Sequence, residues 1–133
     1  MTDRRALLGR AGEEAAVELL ERAGMRILVR NWRCGHLELD MVCRDGRTLV
    51  FVEVRSRSRG GLVSPAESLT PAKQRNFLRA AHAYLAAHDA WDAPCRFDLV
   101  CVVDTGTTLE LEHHRHVELS ESVGGGNTSW QPW

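Results

Sequence analysis

The stretch LVFVEVRSRSR, residues 49–59, decides how the rest of the chain reads. Its first four residues, Leu49, Val50, Phe51 and Val52, form the apolar run of a strand buried on both faces. Glu53 then stands between Val52 and Val54, inside that pattern and not beyond its end. Arg55, Arg57 and Arg59 follow at alternate positions, so they share a strand face with Glu53 and Phe51. A carboxylate so placed is either a solvated strand end or a group that holds something.

Upstream, HLELDMVC (36–43) alternates as a strand, and RDGR (44–47) carries the Asp-Gly signal of a tight hairpin. With Asp45 and Gly46 as a two-residue loop, Val42 opposes Leu49, Asp40 opposes Phe51 and Glu38 opposes Glu53. Strand parity then collects Glu38, Asp40, Glu53 and Arg55 on one face, with Asp40 and Glu53 as diagonal neighbours about 7–8 Å apart. Two ionised carboxylates about 5 Å apart repel by roughly 3 kcal/mol at an effective dielectric of about 20. Such a patch needs a proton, an arginine or a metal cation, and a hard divalent ion with oxygen ligands, Mg²⁺ or Mn²⁺, suits it. Alternating acids on an antiparallel strand ordinarily mark its solvated face. Two features weigh against that here: Glu53 closes the most apolar run in the chain, and Arg55 continues its face.

Outward from the hairpin, the periodicity predicts a helix from residue 3 to about 23, with Leu8, Gly12, Ala15, Ala16, Leu19 and Leu20 on its inner face. Glu14, Glu18 and Glu21 point away, and Glu13 lies on the rim of the buried stripe. Residues 25–31 read as a short strand and 32–35 as a connection. Gly60, Gly61 and Pro65 mark a loop. Thr70-Pro71 supplies the cap and first-turn proline of a second helix reaching about residue 88, with Phe77, Leu78, Ala81, Tyr84 and Leu85 inward. RFDLVCVV (96–103) is a buried strand, and LELEHH (109–114) an alternating edge strand. The order is α-β-β-β-α-β-β, an α/β sandwich of mixed sheet and flanking helices. One domain over residues 1–122 is expected, with a Gly-rich flexible tail at 123–133.

The 133 residues, 44% apolar and 26% charged, suit one ordinary globular domain. No run approaches the length of a membrane-spanning helix, and the N-terminus lacks a secretory signal, so no membrane partner is expected. Cys34, Cys43, Cys95 and Cys101 form no C-x-x-C pair and read as reduced thiols of a cytoplasmic protein. The net charge of −1 argues against a generic polyanion binder, but its distribution is uneven. Residues 1–79 hold 15 of the 17 basic groups against 10 of the 18 acids. All but one of the bases are arginine, whose planar fork suits phosphate. That asymmetry fits a polyanion-facing side on a near-neutral protein.

GHLELDMVCRDGRTLVFVEVRSRS (35–58) resembles the PD-(D/E)xK nuclease pattern, in which an Asp on one strand is followed, after a hairpin, by Glu-x-Lys on the next. More closely, GRAGEEAA, ILVRNWRC, LELDMV, LVFVEVRSRS, TPAKQRNFLRAAHAYL and RFDLVCV occur in the order of the bacterial YraN family, relatives of the archaeal Holliday-junction resolvases. The resemblance runs from about residue 9 to 103. It implies a restriction-endonuclease-like fold and a divalent-metal-dependent endonuclease, or a nuclease-derived binding protein, acting on DNA of branched or altered structure. It implies further that Glu13, Asp40 and Glu53 ligate the metal, with the Val54 backbone carbonyl, and that Asp40, Glu53 and Arg55 form the catalytic set.

Arg55 stands where the pattern has lysine, and Leu37 where the family carries glycine. Arginine can offset charge on a phosphorane but stays protonated at any accessible pH. Cleavage therefore stands beside a non-catalytic module derived from a nuclease fold that binds nucleic acid or, through its acidic C-terminal half, a protein partner; a homodimer that would cut two strands is also open. Arg57 and Arg59 extend the cationic face, and Lys73, Arg75 and Arg79 lie near the start of the second helix, where phosphate is favoured. For these five, a nucleic-acid contact competes with plain solvated surface. His113, His114 and His116 on an edge strand lack the geometry of a metal site. Asp98 is a partner for Arg96 or a support for the site, and Trp32 is a base-stacking platform or a lid on the core.

Overall fold

The computed structural model describes residues 3–58 and 69–119. Arg59, the loop expected at 60–65 and the tail expected at 123–133 lie outside the described residues. The elements are α1 (Arg4–Arg22), β1 (Arg26–Cys34), β2 (Leu37–Asp45), β3 (Thr48–Ser58), α2 (Pro71–Ala87), β4 (Cys95–Asp104) and β5 (Leu109–His114). The five strands form one open sheet in the order β1-β2-β3-β4-β5. β3 and β4 are parallel and the other neighbours antiparallel, so α2 serves as the crossover that a parallel pair requires.

The helices cover opposite faces because β3 is apolar on both. Val50 and Val52 pack with Ala16 and Leu20 of α1 and with Val100 and Val102 of β4. Leu49 and Phe51 pack with Phe77, Leu78, Ala81, Tyr84 and Leu85 of α2. α1 comes close to the sheet because its buried stripe begins with Gly12, where an added Cβ would overlap Ser56 Oγ and stand 3.4 Å from Val102 Cγ1. α2 starts on Thr70, whose hydroxyl accepts from the Lys73 N–H, with Pro71 next. The αβββαββ order and the helix on each face give the expected restriction-endonuclease-like arrangement.

Two expectations change. β1 does not end at residue 31 but runs to Cys34, because Trp32 pairs with Leu39 and rests its ring on Tyr84, centroids 5.3 Å apart. Trp32 is a lid on the α2 core. The hairpin register also differs: Asp45 pairs with Thr48 and Val42 with Phe51, so Gly46 and Arg47 form the loop. Positive φ falls on Gly46 (59°) and not on Arg47, the pattern of a turn with glycine first. Moving the loop by one residue draws Asp40, and not Glu38, level with Glu53.

Beneath α1 lies a buried polar group. Asp98, fully buried, accepts from Arg96 Nε (3.0 Å) and Nη2 (3.2 Å) and from the His116 backbone N–H (3.1 Å), and lies 2.8 Å from His113 Nε2. Arg96 continues to Asp45 at 2.7 Å, tying β4 to the hairpin tip. A buried carboxylate with that many partners is a structural anchor. His114 Nε2 lies 3.1 Å from Glu112 Oε2, so the rings of His113 and His114 are both engaged with carboxylates. All four cysteines are free, and burial pushes the Cys43 thiol up to about 12, far from reactivity. No helix among the described residues is long and apolar enough to cross a membrane.

Candidate nuclease-like site

β2 is not a flat strand where it carries its acid. Leu39 and Val42, three positions apart, both pack into the α2 core, whereas strict alternation would separate them. The irregularity is centred on Asp40. Between the pairs Arg30–Met41 and Trp32–Leu39 of the neighbouring strand stands Asn31 with φ 52°, a left-handed conformation that asparagine tolerates. The ladder to β3 stops at Met41–Val52. Beyond it the Asp40 side chain takes over from backbone, its Oδ2 accepting from the Val54 N–H at 2.8 Å. That bond fixes the carboxylate at the edge of the apolar run.

Glu53 lies beside it and donates a hydrogen bond to Asp40 when protonated. Burial first, and then the charge of Asp40, push the Glu53 carboxyl up to about 8. Asp40 is also raised, mainly by burial, against the opposing pull of the Val54 N–H; Glu13 and Glu38 add to the rise. Both acids therefore prefer a proton or a cation to standing as bare neighbours.

Two concavities flank this pair. On the α1 side, Gly9, Arg10 and Glu13 of the helix meet Arg33, Asp40 and Val54 around about 670 Å³. On the α2 side, His36, Glu53, Arg55, Lys73 and Asn76 surround about 260 Å³. Glu38 lines both, and its own ion pair, 3.3 Å, is with Arg33. The expected opposition of Glu38 and Glu53 is thus replaced by Asp40 beside Glu53.

The close approach at Gly12 brings Glu13 to the rim of the first concavity. Its Oε1 is buried with no hydrogen-bond partner, and Arg30 Nη2, 3.9 Å away, is too far to supply one. Arg30 instead bonds Glu14 at 2.7 Å. An orphaned carboxylate oxygen beside a second buried carboxylate is the donor chemistry of a hard cation. The third carboxylate, Glu53, opens on the other side, and among the described residues no three acidic, histidine or cysteine side chains are drawn together as a closed ligand set. By kind and by unsatisfied demand the residues suit a divalent ion, and Glu13 and Asp40 line one concavity while Glu53 lines the other.

Arg55 is half-buried, with Nη1 3.9 Å from Glu53 Oε1. Arg57 is half-buried on the same strand face, and Arg55 and Arg57 both lie near enough to Cys101 to act on its thiol. Lys73 enters the α2-side groove, while Arg75 and Arg79 are exposed on α2 and line neither concavity. Nothing in the sequence reading assigned Arg10, Arg33 or Asn76 to the site. Arg10 stands three residues before Glu13, a helical spacing that offered a clue; nothing local marks the others.

This geometry defines a small restriction-endonuclease-like α/β protein with a carboxylate pair where β2 and β3 part. A family model described as "Uncharacterised protein family UPF0102" matches residues 12–102. A UPF0102 protein of Nitratidesulfovibrio vulgaris (strain DP4) is 54% identical over 134 residues, covering 100% of both chains. One from Lawsonia intracellularis is 49% identical over 95% of this chain and 96% of its own, and one from Chlorobium phaeobacteroides 45% identical over 80% and 89%. The chain belongs to the UPF0102 family, the YraN family of the sequence resemblance.

Proposed function

We propose that this protein binds DNA across the two concavities and hydrolyses phosphodiesters there as a divalent-metal-dependent endonuclease, with branched DNA the substrate class. The observation that carries the reading is the Asp40–Glu53 pair, together with the buried Oε1 of Glu13, which has no hydrogen-bond partner, in the concavity that Asp40 also lines. Glu13, Asp40 and Glu53, with the Val54 carbonyl, would hold Mg²⁺ or Mn²⁺. When bound, such an ion neutralises charge on the phosphate and lowers the pKa of a water. Asp40 is held in one orientation by the Val54 N–H, so its free oxygen keeps a constant aim. Glu53 gives up its proton as positive charge arrives, because the same burial that raises its pKa strengthens any opposite charge nearby. Arg55 stays protonated and donates to phosphate oxygens as the water attacks in line. Arg57, Arg59 and Lys73 would follow the strand on either side of the scissile bond, whereas Arg75 and Arg79, which line neither concavity, stand outside that path.

Arg55 in the lysine position favours a second reading, a binding module without turnover. One experiment separates the two. Labelled branched, single-stranded and linear duplex DNA is incubated with the protein and with Asp40→Ala, in Mg²⁺, Mn²⁺ or EDTA. Cleavage abolished by EDTA and by the substitution is expected. Salt-sensitive binding without cleavage would establish the module instead. Neither cleavage nor binding would refute the nucleic-acid reading.

A further inference from the structure

Arg55 leaves the site without the lysine its strand pattern has, and Lys73 is the one lysine in the chain. Lys73 stands in the first turn of α2, its N–H held by Thr70 Oγ1 at 3.2 Å. Phe77, one turn on and only 5% exposed, sets this end of the helix against Phe97, ring centroids 4.9 Å apart. Core packing, not a loop, therefore brings Lys73 to the α2-side groove that Glu53 and Arg55 also line.

We propose that Lys73 supplies from α2 the phosphate-facing ammonium that position 55 lacks, so that a DNA phosphate lies between Lys73 and Arg55 beside Glu53. The inference rests on the nuclease reading above and names the residue that makes it workable. The two cations differ in kind. Arg55 offers a planar fork on a side chain restrained beside Glu53, suited to gripping two phosphate oxygens. Lys73 offers a compact charge with three rotatable donors on a flexible stem, able to follow one oxygen as its charge grows. Asn76, one turn along α2 in the same groove, adds a neutral hydrogen-bonding group. Arg75, two residues from Lys73 and outside the groove, is the matched control for general surface charge.

The test uses the full chain with Lys73→Met, Arg75→Ala and the double variant Arg55→Lys/Lys73→Met. Single-turnover cleavage of labelled branched DNA is measured in Mn²⁺, binding of the same DNA in EDTA across a salt series, and folding by circular dichroism. Lys73 is exposed, so Lys73→Met is expected to fold as the wild type does. Cleavage should fall about 10²- to 10³-fold in Lys73→Met, the usual effect of removing one donor to a developing charge. Arg75→Ala should stay within about threefold, a surface-charge effect, and the double variant should regain at least about tenfold over Lys73→Met. Equal losses in Lys73→Met and Arg75→Ala, wild-type cleavage in Lys73→Met, or no recovery in the double variant would overturn the inference while leaving the nuclease reading intact. If the wild type binds but does not cut, turnover fails and binding decides: Lys73→Met must weaken affinity more than Arg75→Ala and lower the salt slope by about one. Equal weakening overturns the inference. A wild type that neither binds nor cuts overturns both.

Discussion

Replacing Glu53 by glutamine tests the electrostatics on which the site rests. In the folded chain the carboxyl is carried from 4.5 to about 8. At about 1.4 kcal/mol for each tenfold change in proton affinity, ionised Glu53 costs the folded state roughly 5 kcal/mol at most. The sign follows from linkage. Between pH 4.5 and 8 the folded chain keeps a proton that the unfolded chain has released, so stability present below 4.5 is lost progressively as pH rises to about 8. Glu53→Gln removes the ionisation and keeps a donor for Asp40. Urea unfolding in EDTA from pH 5 to 9 should show the wild type losing a few kcal/mol, with Glu53→Gln flatter and the more stable of the two at pH 8.5. Asp40, also raised, leaves the variant a residual slope of the same sign. Mg²⁺ at a hundred times its dissociation constant would return about 2.7 kcal/mol to the wild type at pH 8.5. Parallel profiles for the two proteins across this range would refute the argument, since Glu53 would then feel no more of its surroundings when folded than when unfolded.

Two further outcomes concern the frame. Asp98→Ala leaves half-buried Arg96 with Asp45 alone and strips His113 and the His116 N–H of their buried acceptor, and should cost about 3–5 kcal/mol in urea unfolding, more than any single substitution at the exposed Arg75 or Arg79. Gly12→Ala forces the Ser56 hydroxyl from its place, so the helix-propensity gain of about 1 kcal/mol should emerge only when Ser56→Ala is added, a difference read from the double-mutant cycle.

The element order was legible because each segment declares its own period: Val50 and Val52 against Leu49 and Phe51, the stripe Gly12, Ala16, Leu20, the cap at Thr70-Pro71. The family blocks carried Glu13, Asp40, Glu53 and Arg55 together. The hairpin loop was misplaced by one residue because Asp45-Gly46 and Gly46-Arg47 are both acceptable turns locally; the choice rests on which pairing buries Val42 against Phe51.

Chain order and residue type alone determined the sandwich, the acids on its central hairpin and the arginine in the lysine position, since these depend on local periodicity and chemistry. Only tertiary structure decided how the acids meet. The twist at Asn31 and Asp40, the Val54 N–H claimed by a carboxylate, and the helix drawn in at Gly12 all arise from contacts between segments distant in sequence. The same packing brings Lys73 across the crossover to Glu53's side of the sheet. No spacing along the chain encodes that proximity, because it exists only once both faces of β3 have been buried.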